Sequence, residues 1–188
     1  MATSVQCPTL DNISCEDMCL EHFSGMGSVA YFFLRDDINK ANFTATENVY
    51  EFTEETLKTG KHLFRVELKE AGQQFNGESN AQGKGFKITA NMIIEVINEK
   101  VGKLCRALNN LQWGCIIEDS DPGKYQLFYS PNKKVKIDGG GIKTDTGLQS
   151  SDDSQTTIAA YIISNYPNLY VKFPEGKTPD DYLSVAAG

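Results

Sequence analysis

The chain has 188 residues, 40% of them hydrophobic and 23% charged. This balance excludes a disordered polar tail and fits one domain, or one domain with arms. Eighteen Lys and Arg stand against 25 Asp and Glu, a net charge of −7, which excludes a broad nucleic-acid-binding face because phosphate recognition needs a basic field. No apolar run approaches the ~18 residues of a membrane span, and residues 1–10 have neither the basic start nor the apolar block of a secretory signal, so no membrane insertion is expected.

Residues 1–27 read as an N-terminal arm. Ser14 is placed to cap a short turn over residues 16–20, with Asp17 near its start. Cys7, Cys15, Cys19 and His22 are metal-ligand types, but their spacing matches no common zinc pattern, and they are expected as thiols of a reduced protein. With Cys105 and Cys115 the cysteines number five, so complete pairing within one chain is impossible. The last two flank a helical pattern and read as small core residues. The glycosylation triplets at Asn12 and Asn42 are of a kind that arises often by chance and carry no weight.

Residues 28–34 are dense and aromatic and end at Arg35-Asp36-Asp37, a strand with a stop. Residues 47–52 alternate polar and apolar. Residues 62–68 repeat the pattern, with Phe64, Val66 and Leu68 on one face and Arg65 and Glu67 on the other. Residues 71–85 hold four glycines among Gln73, Gln74, Asn76, Asn80 and Gln82, show no period, and are expected to be a long loop. Residues 86–97 form one strand whose apolar face runs Phe86, Ile88, Ala90, Met92, Ile94 and on to Val96.

Residues 98–111 are the one clear helix. Asn98 caps it, and Val101, Leu104, Cys105, Leu108 and Leu111 make a stripe expected to pack on a sheet. Strands follow at 112–119, 124–130 and 133–138, joined by turns at Asp121-Pro122-Gly123 and Pro131-Asn132. A second polar loop spans 139–154, opening on Gly139-Gly140-Gly141. Residues 155–164 are partly apolar on both faces and read as a strand with cover on both sides. A short strand at 168–173 follows, and 174–188 read as a C-terminal arm. The fold class is mainly β: a barrel or sandwich of about eight strands with one packed helix, its core at 28–173.

Catalytic signatures are missing. There is no P-loop, GxGxxG, GxSxG or HExxH, the only histidines are His22 and His62, and Gly83-Lys84-Gly85 is merely a glycine-flanked lysine. No enzyme activity and no cofactor is expected.

The order of elements is informative. A long strand at 86–97 runs directly into the helix at 98–111. A return strand holds Trp113-Gly114-Cys115-Ile116-Ile117-Glu118-Asp119. A hairpin at Asp121-Pro122-Gly123, the loop to Asp153 and a closing strand at 155–164 complete the order. Over residues 28–173 this order resembles the tail tube proteins of tailed bacteriophages, which are related in fold to the inner-tube proteins of type VI secretion and contractile injection systems. The N-terminal cysteines depart from that pattern.

The resemblance implies a virion structural protein, assembled in the bacterial host cytoplasm. Its copies would close into rings, in hexamers, by sheet-edge contacts and stack as a conduit for DNA passage without specific binding. Other partners would be tape measure, terminator and baseplate proteins. The loop at 71–85, with Gln73, Gln74, Phe75, Asn76, Asn80 and Gln82, and a C-terminal segment at 178–183 with Tyr182 are the candidate contacts to neighbouring copies. Glu95, Glu118 and Asp119 are candidate acids facing the lumen. Another tail, neck or baseplate protein of the same barrel type is the alternative within that reading. A different class is a monomeric β-barrel with Tyr31, Phe33, Tyr125 and Phe128 around a small apolar ligand.

Overall fold

A computed structural model describes residues 26–70, 72–80, 83–119, 123–147 and 154–183. In chain order the strands are β1 (Met26–Leu34), β2 (Ala45–Thr46), β3 (Val49–Glu51), β4 (Phe64–Glu67), β5 (Gln74–Ser79) and β6 (Phe86–Ile94). Helix α1 (Glu99–Asn110) follows. Then come β7 (Trp113–Asp119), β8 (Tyr125–Phe128), β9 (Lys136–Asp145), β10 (Gln155–Ser164) and β11 (Tyr170–Lys172). Short 3-10 turns occupy Arg35–Asp37 and Pro179–Tyr182.

The strands form two sheets. One has seven strands in the order β2-β3-β11-β8-β7-β1-β4, the other four in the order β5-β6-β10-β9. Pairing is antiparallel except between β11 and β3. Among the described residues the fold is therefore mainly β, with two sheets and a single α-helix, as the alternation of the sequence predicts.

The period-2 geometry of a strand explains which side chains meet. On β6 the buried set is Ile88, Ala90, Met92 and Ile94; on β10 it is Thr156, Ile158, Ala160 and Ile162. These face the seven-stranded sheet. The Cys115 thiol on β7 meets the Met92 sulfur at 4.0 Å, and Phe75 on β5 packs on Phe128 of β8 at 5.6 Å between centroids. One corner is closed by the chain itself: the Leu68 amide donates to Ser28 of β1, while the next amide, Lys69, donates to Ile93 of β6.

The seven-stranded sheet is buried on its far side too. There Phe33 meets Phe43 edge-on, Tyr129 packs at a tilt against both, and Phe52 meets Phe173 and Tyr182. Each such ring contributes roughly 1.5–3 kcal/mol when fully buried. This second layer accounts for the unbroken burial of residues 30–33 and 113–117, which no one-sided strand would show.

The helix is set by its ends. The Asn98 side chain accepts from the Val101 amide at 2.9 Å, the expected N-cap. At the other end the Trp113 indole donates to the Leu108 carbonyl at 3.0 Å, fastening α1 to the start of β7.

Several expectations need correction. Residues 71–85 are not one long loop: β5 lies inside them, paired with β6 from Gln74↔Asn91 to Ser79↔Phe86. Its alternation escaped the hydrophobic pattern because its inward positions are Phe75, Gly77 and Ser79, and a glycine carries no hydrophobic signal. Gly77 has a reason, since a Cβ there would run into the Pro167 carbonyl. The loop expected at 139–154 is also too long, because β9 continues through the three glycines to Asp145 and pairs with β10. A register shift beside Ala159 absorbs the irregularity.

The expected arm at 174–188 is a built part of the fold up to Leu183. Leu63 donates its amide to Tyr182, and the Tyr31 hydroxyl donates to the Asp180 carboxylate at 3.0 Å, across 149 residues of chain. Val96 does not extend the buried face of β6, and Leu111 does not extend the helix stripe; both stand about half exposed.

Two buried phenols yield a pH prediction. Burial, helped by the Asp180 carboxylate, pushes Tyr31 up from 10.0 to about 12. Burial likewise pushes Tyr129 up to about 12. In both cases the folded chain keeps its proton longer than the unfolded chain. Their contribution is therefore complete below pH 10.0 and is lost as the pH rises towards about 12. An alkaline tyrosinate titration is expected to show a late component that loses one tyrosine in Tyr129→Phe. A single wave at the ordinary tyrosine value would refute the burial of these rings.

Candidate functional site

The four-stranded sheet ends in β5 on one side and β9 on the other. Among the described residues no strand pairs with the outer edge of either. Each edge strand therefore presents a row of backbone N–H and C=O groups.

The sheet also has a face turned away from the core. It carries Gln74, Asn76, Glu78, Lys87, Thr89, Asn91, Lys136, Lys143, Asp145, Gln155, Thr157 and Tyr161, with the apolar Ile93, Ala159 and Ile163 among them, all on that side by register. Lys87 reaches Asp138 at 3.3 Å and lies 4.8 Å from the Tyr161 ring centre; Lys136 sits 5.9 Å from the same ring. With Glu78, Asp138 and Asp145 against Lys87, Lys136 and Lys143, the face is balanced in charge.

The residues singled out in the sequence separate onto different parts of the molecule. Gln74 and Asn76 are exposed on β5, and Phe75 between them turns inward to Phe128. Gln73 is buried and donates its side-chain amide to the Lys69 carbonyl, so it anchors the entry to β5 instead of reaching outward. Asn80 opens the β5–β6 turn, its amide bonded to the Gly85 carbonyl at 3.0 Å. Gln82 lies outside the described residues.

Tyr182 packs on Phe52 at 4.8 Å and on Phe173 of its own chain. Of the three acids, Glu95 is exposed just past β6 and pairs with Lys69 at 3.3 Å. Glu118 and Asp119 belong to β7, in the other sheet. There Glu118 accepts from the Gly123 amide at 3.3 Å and Asp119 from the Gln126 amide at 2.9 Å. The structure does not bring these acids together.

The chain matches no family model, no curated protein and no solved structure.

A feature that sequence reasoning missed is a groove of about 720 Å³ between α1 and the outer strand β4. Its floor is Phe32, Leu34, Ile94 and Trp113; its walls are Phe64 and Val66 on one side and Val101, Leu104 and Ala107 on the other. Phe64 is 51% exposed and Val96, at the rim, 48%. Phe64 shares its face with Phe32, its register partner, but lies beyond the reach of the four-stranded sheet. The sequence did mark Phe64 and the helix stripe as apolar. Nothing in their spacing says that the cover stops short of them.

Of the four aromatics named for a ligand cavity, Phe33 and Phe128 fill space, Tyr31 binds Asp180, and Tyr125 is half-buried at the surface against Phe173. Phe33 is enclosed by Phe43 and Tyr129, and Phe128 by Trp113 and Phe75. Among the described residues no three His, Cys, Asp or Glu gather to hold a metal ion, and Cys7, Cys15, Cys19 and His22 lie outside those residues. Complete burial pushes the Cys115 thiol far up, and partial burial raises Cys105, which favours the protonated thiol at both.

Proposed function

We propose that this chain is a structural protein that joins its own copies into rings, and stacks the rings into a tube of the bacteriophage tail-tube kind. The observation that carries this reading is the four-stranded sheet with two open edges and one uncovered face. Its edges are different strands, β5 and β9, so a contact between them is heterologous and generates a ring when the rotation closes. Such a contact would turn two exposed edges, a hazard for a lone molecule, into one continuous sheet.

The charges permit that pairing without repulsion, since β5 carries one carboxylate and β9 is balanced. The exposed side of β5 carries Glu78 and no cation, while β9 carries Lys136 and Lys143 beside Asp138 and Asp145. The uncovered face would then line the channel. Its three lysines and three carboxylates give passing phosphates no net attraction. In this reading the protein sits in a virion tail, and its other partners are further tail components.

Light scattering with negative-stain microscopy tests the proposal. Rings or tubes are expected from the wild-type chain, under assembly conditions or with an initiating complex. In a chain that also carries Asp145→Lys, Gln74→Lys with Asn76→Lys makes both edges net positive and is expected to abolish rings, whereas Gln74→Glu with Asn76→Glu beside the same Asp145→Lys preserves them. Both pairs are exposed, so folding should change by no more than about 0.5 kcal/mol. Rings that survive the lysine pair unaltered would overturn the edge assignment. A stable monomer under every condition would overturn the function.

A further inference from the structure

The groove between α1 and β4 is apolar within and basic at its helix rim, where Lys100 and Lys103 stand exposed. The sequence holds a segment of the complementary kind. Residues 1–25 contain Asp11, Glu16, Asp17 and Glu21 but no Lys or Arg; the first cationic side chain in the chain is Arg35. The same segment carries Leu10, Ile13, Met18 and Leu20. We propose that residues 10–20 dock into the groove of their own chain, their apolar side chains covering Phe64, Val96 and Leu104, and their carboxylates facing Lys100 and Lys103.

Chain length permits this and limits it. The groove lies beside Phe32, six residues along β1 from Met26. At about 3.3 Å per residue that is roughly 20 Å. An extended chain covers this in about six residues, so positions up to Leu20 reach the groove and Phe23 does not. Tethering of this kind holds the segment at an effective concentration in the millimolar range, so modest contacts suffice. The proposal is independent of ring formation.

Hydrogen exchange on the full-length chain, followed by mass spectrometry, tests it. Amides of residues 10–20 are expected to exchange at least about tenfold more slowly than an unstructured chain, since docked segments open rarely. Leu10→Ser with Ile13→Ser and Met18→Ser should remove that protection and speed exchange in residues 96–104. Lys100→Glu with Lys103→Glu, both exposed at the groove's rim, should weaken it while the circular dichroism spectrum stays unchanged. Unprotected exchange in the wild type overturns the proposal, as does protection indifferent to the lysine substitutions. Protection that grows with protein concentration overturns the assignment to the same chain and points to a neighbour's segment.

Discussion

Replacing Trp113 with alanine is expected to lower the unfolding free energy by about 3–5 kcal/mol, the range for deleting a large buried ring. Trp113 is 1% exposed and touches Phe32 at 5.6 Å and Phe128 at 5.4 Å. It also supplies the indole hydrogen bond that holds the Leu108 carbonyl near the end of α1. The alanine variant therefore loses packing and leaves a helix carbonyl unpaired at once. Urea unfolding followed by circular dichroism measures this without relying on the fluorescence of the only tryptophan. A loss below about 1.5 kcal/mol, the cost of a mild volume-conserving change, would mean that the helix is not seated on β7 as described.

A second large effect is expected at Gly77. Valine there meets the Pro167 backbone, which cannot retreat as a flexible side chain would. Either β5 lifts from β6 or the 165–168 connection moves, at a cost of about 3 kcal/mol, the upper range for overpacking. Gly102 is the matched control. It lies in α1 with nothing within 4 Å of a built Cβ. Alanine at that position is expected to stabilise by about 0.8–1.0 kcal/mol through helix propensity. Equal and small effects at both sites in urea unfolding would refute the close approach at Gly77.

The long regular elements were legible because burial writes its own period into them. β6 shows alternate apolar residues, and α1 shows Asn98 ahead of a stripe at helical spacing. β5 was not legible: its pairing is satisfied by backbone groups that any sequence possesses, and its inward glycine exists for a neighbour 90 residues away. The same holds for Gly139-Gly140-Gly141, which local chemistry assigns to a loop and the ladder with β10 holds as strand. The C-terminal turn looked like an arm because its partners, Phe52, Leu63 and Tyr31, are remote in sequence. The half-covered groove was illegible for another reason. Hydrophobic spacing records which side chains seek cover, but not where the cover ends.

The pairing scheme has a consequence for biosynthesis. β1 is flanked by β4 and by β7, and Tyr31 on β1 finds Asp180 only 149 residues later. β3 finds its parallel partner β11 only with residues 170–172, about 120 positions further along the chain. At a ribosomal rate of about 5–20 residues per second, the amino-terminal strands wait on the order of 10 s for partners not yet made. During that interval the apolar run at residues 30–33 is unsheltered, so yield in the cell should depend on chaperone supply and on slower, cooler expression more than on the stability of the finished molecule.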